Sequence, residues 1–222
     1  MGTVVFDLDG TLADTSGDLI AAANACFHAL GLGRPLDRGR DSATAFHGGR
    51  AMLRLGFERT GGGSEAAVDA EYPKLLDHYA RRIDAETRLY PGAMEAVDTL
   101  RGQGYRTAVC TNKPEGLAET LLSRLGVRDR FAALIGADTL PVRKPDPAPY
   151  VEACRRAGGE AARSVLVGDT DTDRRTAAAA GVPCILVTFG PEGEAVADLS
   201  PEGLIGGFGE LPGEVRRLIG AA

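Results

Sequence analysis

The spacing of apolar residues changes twice along this chain. A continuous apolar run, Val4-Val5-Phe6, comes first and predicts a buried strand over residues 3–6 that stops at Asp7. Over residues 16–88 the pattern is helical and rich in Ala and Leu, and no strand pattern shows. Leu19, Ile20, Ala23, Phe27 and Leu30 fall on one face of a helix over residues 18–30. Met52, Leu53 and Phe57 suggest a second helix, and Tyr72, Leu75, Leu76, Tyr79 and Ile83 a third. After Tyr90-Pro91-Gly92 the rhythm becomes alternating. Helices are expected over residues 93–103, 114–125, 147–157 and 171–180, and strands over 106–110, 131–135, 165–167 and 184–187. Leu204-Ile205 suggests a short edge strand, and residues 211–219 a last helix.

Alternation of this kind implies an α/β fold, a three-layer Rossmann-like core with a parallel sheet between helices. Residues 1–15 and 89–222 are expected to form that core. Residues 16–88 then read as an inserted α-helical cap domain over the carboxyl end of the first strand, where it can exclude water and select substrate.

Chemistry concentrates where predicted strands end. Asp7-Leu8-Asp9-Gly10-Thr11-Leu12 follows the first strand, so Asp7 stands in the crevice where open α/β sheets bind ligands. Gly10 permits a tight turn that faces Asp7 and Asp9 into one pocket. Two acids that close repel each other unless a cation or a shared proton intervenes. The arrangement suggests a divalent metal beside an aspartate nucleophile. Thr111-Asn112-Lys113 follows the Val109-Cys110 strand end, where a hydroxyl and backbone N–H groups can hold phosphate oxygens. Arg143-Lys144-Pro145-Asp146-Pro147 offers Lys144, a compact cation suited to neutralising an aspartate and a transferring phosphoryl group. Val167-Gly168-Asp169-Thr170-Asp171-Thr172-Asp173 brings further acids. Asp169 is the expected metal ligand, Asp173 a second-layer partner of Lys144 or of a metal-bound water, and Asp171 the acid that caps the next helix. A calcium loop is the competing reading, but the later Gly and distal Glu of an EF-hand are missing. Taken singly, these motifs also read as an Asp-Gly turn, a helix cap and a solvated basic loop. All four at the ends of predicted parallel strands make coincidence a poor explanation.

Composition narrows the field. With 222 residues, 44% hydrophobic and 25% charged, the chain has room for a core domain plus an insertion and is neither disordered nor collagen-like. A net charge of -6 gives no footprint for nucleic acid or anionic membranes, and neither is expected as a partner. No apolar run reaches membrane-spanning length, and the start lacks the basic flank of a signal peptide. Cys26, Cys110, Cys154 and Cys184 are far apart, which suits reduced core thiols in a cytoplasmic protein. Gly61-Gly62-Gly63 has no Lys-Ser/Thr after it and reads as a flexible connection.

Asp7-Leu8-Asp9-Gly10-Thr11, Thr111-Asn112, Lys144-Pro145 and Gly168-Asp169 with Asp173 together resemble the four signatures of the haloacid dehalogenase superfamily, in its branch of phosphatases with a helical cap. Tyr90-Pro91-Gly92, Thr111-Asn112-Lys113-Pro114, Lys144-Pro145-Asp146-Pro147, Val167-Gly168-Asp169-Thr170 and Ala179-Ala180-Gly181-Val182-Pro183 are similar to phosphoglycolate phosphatases. The resemblance implies a phosphatase acting on a small phosphorylated metabolite, as a monomer or homodimer. It implies Asp7 as nucleophile and Asp9 as acid and base. It also implies Mg²⁺ on Asp7, the Asp9 backbone carbonyl and Asp169, and Thr111, Asn112 and Lys144 around the phosphoryl group. Asp9 argues against the dehalogenase and phosphonate-cleaving branches, which lack an acid there. A phosphomutase like β-phosphoglucomutase shares the motifs, though Thr11 stands where those mutases commonly carry an apolar residue. Phosphatases of sugar phosphates, nucleotides or pyrophosphate are further alternatives, and intact acids and lysine speak against a non-catalytic binding module. For the carboxylate of phosphoglycolate, Phe46-His47-Gly48-Gly49-Arg50 offers Arg50 as a bidentate anchor; the competing reading is a solvated helix face.

Overall fold

The computed structural model describes residues 1–222, which divide into two compact units: Met1–Ala13 with Leu89–Ala222, and Asp14–Arg88. Along the chain, β1 (Thr3–Phe6) and the two-residue strand β2 (Ala13–Asp14) precede four helices: α1 (Ser16–Ala29), α2 (Arg38–Phe46), α3 (Gly49–Arg59) and α4 (Glu65–Arg81). The two-residue β3 (Arg88–Leu89) pairs with β2. Then come α5 (Ala93–Gly102), β4 (Arg106–Cys110), α6 (Glu115–Arg124), β5 (Ala133–Ile135), α7 (Ala148–Arg156), β6 (Ser164–Gly168), α8 (Asp171–Ala180), β7 (Cys184–Val187), β8 (Gly203–Ile205) and α9 (Leu211–Ile219).

In the larger unit six strands form a parallel sheet in the order β5-β4-β1-β6-β7-β8. β1 lies where the winding reverses, so its carboxyl end opens onto the crevice characteristic of such sheets. All four of its residues are buried, as a parallel strand covered on both faces requires. Val5, Ala108 and Leu166 pack with Tyr150, Ala153 and Cys154 of α7 on one face. On the other, Phe6 meets Phe131 edge to face at 6.1 Å. The four cysteines are free and buried, and burial pushes the thiols of Cys26 and Cys110 up to about 11 and about 12. The residues after Pro191 belong to this unit: β8 adds the sixth strand, and Leu211 and Val215 of α9 are buried. Phe189 sits between Tyr90 and Phe208, 5.1 Å from each ring.

The smaller unit is the helical segment of residues 14–88. Its helices α1, α3 and α4 follow the predicted periodicity, and Phe27 of α1 packs edge to face on Phe57 of α3 at 5.1 Å. The apolar pattern does not predict α2, whose sequence Arg-Gly-Arg-Asp-Ser-Ala-Thr-Ala-Phe is mostly polar and buries Ala45 and Asp41. Polar contacts help to hold it. Asp37 caps its start by accepting from Arg40 N, and Asp41 accepts from both Arg59 amino groups at 2.6 and 2.7 Å. Buried Asp18 on α1 ties the start of the unit to its end. Its carboxylate accepts from Glu86 N at 3.0 Å and from Thr87 N and Thr87 Oγ1 at 2.8 Å.

Asp18→Ala leaves the Thr87 N–H buried without an acceptor and removes the link to Glu86 N, so it should destabilise the helical unit by about 2 kcal/mol. Urea denaturation followed by circular dichroism measures this; an unchanged midpoint would show that the contact carries no stability.

Candidate active site

Sheet register assembles the site. Phe6 pairs with Val109 on β4 and with Val167 on β6, and the ladder runs one bond further through Asp7 N to Val167 O at 2.9 Å. Asp7 therefore leaves the sheet between the residues that follow those two partners, Cys110-Thr111 on one side and Gly168-Asp169 on the other. Beyond Asp7 the chain turns back. Leu12 N and Ala13 N both donate to Leu8 O, Gly10 N donates to Ala13 O, and Gly10 adopts φ 84°, where a side chain is strained. This turn presents Asp9, and it aims Thr11 Oγ1 at Asp169 Oδ1, 2.6 Å away.

Lys144 is at the centre. Its side chain is only 2% exposed, with Nζ 2.7 Å from Asp173 Oδ1 and 3.0 Å from Asp7 Oδ1. The Asp173 contact is a hydrogen bond, whereas the angle at Asp7 leaves an ion pair alone. Asp173, fully buried, spends its second oxygen on Thr170 Oγ1 at 2.8 Å and on the backbone N–H groups of Thr170 and Asp169. Gly168 makes room for this: a Cβ there would meet the Asp173 carboxyl carbon at 2.4 Å. The loop bearing Lys144 is tied to the loop after β4, because Asn112 Nδ2 donates to Lys144 O at 3.0 Å. In that loop Thr111 Oγ1 accepts from Lys113 N, which leaves its own O–H to donate to a ligand.

Carboxylate oxygens of Asp7, Asp169 and Asp173 lie within 4.8 Å of one another. Both Asp173 oxygens are occupied, yet Asp7 Oδ1 and Asp169 Oδ2 are buried with no hydrogen-bond donor. Two hard oxygens so placed fit a divalent cation such as Mg²⁺. Electrostatics agree. Burial pushes the Asp7 carboxyl up to about 6 against the pull of Lys144, with Asp173 and Asp9 adding to the rise. Burial, then Asp173 and Asp7, drives Asp169 well above the usual carboxylate range. Burial alone would lower Lys144, but the facing carboxylates of Asp173 and Asp7 hold its ammonium above the ordinary value.

A family model for haloacid dehalogenase-like hydrolases matches residues 1–181. The chain belongs to that family. This haloacid dehalogenase-like hydrolase is 41% identical to a phosphoglycolate phosphatase of Mesorhizobium japonicum over 99% of its length and 97% of the relative's. It is 39% identical to one of Agrobacterium fabrum, with 93% and 89% covered. Among solved structures, a predicted phosphoglycolate phosphatase from Haemophilus somnus 129pt superposes with a TM-score of 0.83 at 25% identity, covering 96% of this chain and 97% of that one.

Of the residues singled out in the sequence, Asp7, Asp9, Thr111, Asn112, Lys144, Asp169 and Asp173 of this hydrolase all stand in the larger unit, in the segments that follow β1, β4, β5 and β6. Arg50 stands on α3 of the helical unit, ion-paired with Asp69 and 4.4 Å from the centre of the Tyr72 ring. His47 ends α2. Asp171 is not the cap of α8. Thr170 takes that place because its side chain reaches Asp173, and Asp171 in the first turn pairs with Arg175 instead. Two contacts had no sequence signal beyond residue type: Thr11 on Asp169, and Lys113, whose Nζ holds both Asp9 oxygens at 2.6 and 2.8 Å.

The raised Asp7 carboxyl sets a pH dependence. Its folded value of about 6 lies above the ordinary carboxyl value of 3.8, so the stability it contributes is complete below about pH 4 and is lost as pH rises through 6. After EDTA treatment the Tm should fall between pH 5 and pH 7, and millimolar Mg²⁺ should restore it most at the upper end. A flat Tm with no response to Mg²⁺ would contradict this picture of the site.

Proposed function

We propose that this hydrolase is a Mg²⁺-dependent phosphatase that cleaves a small phosphomonoester through an aspartyl-phosphate, with phosphoglycolate as its first candidate substrate. The observation that carries the reading is the placement of Asp7 at the end of β1, its carboxylate beside the Lys144 ammonium and the unpartnered Asp169 oxygen. Identity of 41% to a phosphoglycolate phosphatase supports the substrate.

An Asp7 carboxylate oxygen attacks phosphorus, forming the aspartyl-phosphate as the bond to the ester oxygen breaks. Asp9 gives its proton to the departing alkoxide. Asp9, now a carboxylate, takes a proton from the water that attacks the phosphoryl group, and phosphate leaves with Asp7 restored. Lys144 and the Thr111 hydroxyl hold phosphoryl oxygens, whose charge grows as transfer proceeds. Mg²⁺ would be held by Asp7, Asp169 and the Asp9 backbone carbonyl, and when bound it neutralises charge on the phosphoryl oxygens. The helical unit would act as the cap, with Arg50 as carboxylate anchor, for which it would have to leave Asp69.

Phosphate release should be followed with and without Mg²⁺ across phosphoglycolate, sugar phosphates, nucleoside monophosphates and pyrophosphate. A strong preference for phosphoglycolate is expected, with turnover abolished in Asp7→Asn, and Arg50→Ala should impair phosphoglycolate more than uncharged esters. A broad, weak profile would withdraw the named substrate. Isomerisation of a hexose 1-phosphate without phosphate release would replace hydrolysis by a mutase reaction.

A further inference from the structure

Lys113 is a second lysine at the site. Its side chain is 8% exposed, and its ammonium contacts both oxygens of Asp9 at 2.6 and 2.8 Å. An ammonium is strongly hydrated, and burying one costs free energy unless an anion compensates. Its backbone is fixed on both sides. Lys113 N donates to Thr111 Oγ1 at 3.1 Å, and Lys113 O accepts from Ala137 N at 2.9 Å, which anchors the residue to the segment after β5. The Asp9 carboxylate is 20% exposed on the turn after β1, and the ammonium of Lys113 holds both of its oxygens. A proton donor acts only from hydrogen-bond reach of the leaving oxygen, so its orientation limits the rate.

We infer that Lys113 is a positioning residue for proton transfer: it grips the Asp9 carboxyl group so that Asp9 serves the leaving-group oxygen. As the proton moves from Asp9 to the ester oxygen, negative charge develops on the carboxyl group, and the adjoining ammonium stabilises that charge within the transition state. Lys144 and Lys113 then have separate tasks. Lys144 faces Asp7 and the phosphoryl group, and Lys113 faces Asp9 and the leaving group. This role rests on the phosphatase reading above.

The test exploits the leaving group. An alkoxide needs a proton as it departs, whereas para-nitrophenolate does not, and kcat/KM reports transition-state stabilisation relative to free enzyme and substrate. For Lys113→Met, kcat/KM should fall by about 30-fold or more on phosphoglycolate and glycerol phosphate, and by less than about threefold on para-nitrophenyl phosphate. Lys113→Arg should recover much of the loss. Asp9→Asn should show the same split, and adding Lys113→Met to it should cost little more, as residues that act together require. Lys113→Gln serves as the variant if the methionine form does not fold. Equal losses on alkyl and aryl esters would overturn the inference by making Lys113 a phosphoryl ligand or a structural support. A loss confined to phosphoglycolate would overturn it by making Lys113 the contact for the substrate carboxylate. A wild type that releases phosphate from no ester would instead overturn the phosphatase reading, and the inference with it.

Discussion

Negative charge gathered at the end of a buried strand must be balanced, and much of the larger unit is arranged to balance it. Asp7, Asp169 and Asp173 are buried and bring carboxylate oxygens within 4.8 Å of one another. Lys144 answers two of them directly, at 3.0 and 2.7 Å. Asp173 is the fixed member of this set, because its second oxygen is held by the start of α8. Its position therefore transmits the geometry of that helix to Lys144, and through Lys144 to Asp7. What remains unanswered is one oxygen on Asp169, while Asp7 Oδ1 has the Lys144 charge beside it but accepts no hydrogen bond, and that remaining negative charge is the physical basis for a divalent cation here.

The parallel sheet makes this economical. Strand register brings Asp7 level with Cys110 and Gly168, with Thr111 and Asp169 one residue further along each neighbouring strand. Turns then do the local work. Gly10 reverses the chain so that Asp9 and Thr11 come back toward the strand end, and Gly168 leaves space for the Asp173 carboxyl group. The side chains of the site are thereby mounted on rigid strands and short turns, which suits the proposed phosphoryl transfer, a reaction that depends mostly on positioning.

Two lysines beside two aspartates also give the site an internal division. One pair, Asp7 with Lys144, is almost fully buried; the other, Asp9 with Lys113, is nearer the solvent. In the proposed reaction, attack at phosphorus profits from a nucleophile held in a buried, charged setting, and proton exchange with an alcohol or water profits from access. The family membership and the 41% identity to a phosphoglycolate phosphatase stand alongside this geometry as independent lines.

Much of this was legible in the chain itself. Continuous apolar runs marked the core strands because both faces of the sheet are covered, and helical periodicity marked α1, α3, α4 and the crossover helices because each buries one stripe. The acids, threonine and lysine of the motifs were legible as well, since a strand end followed by a polar turn is a local pattern. Tertiary structure decided the rest, where the deciding contact spans a long stretch of sequence. Helix α2 is tied down by Arg59 on Asp41, 18 residues away. Lys113 reaches Asp9 across 104 positions and Thr11 reaches Asp169 across 158, pairings that no local spacing encodes. Local patterns fix which elements form and which chemistry they carry; only packing brings distant side chains to hydrogen-bond distance and settles which charge answers which.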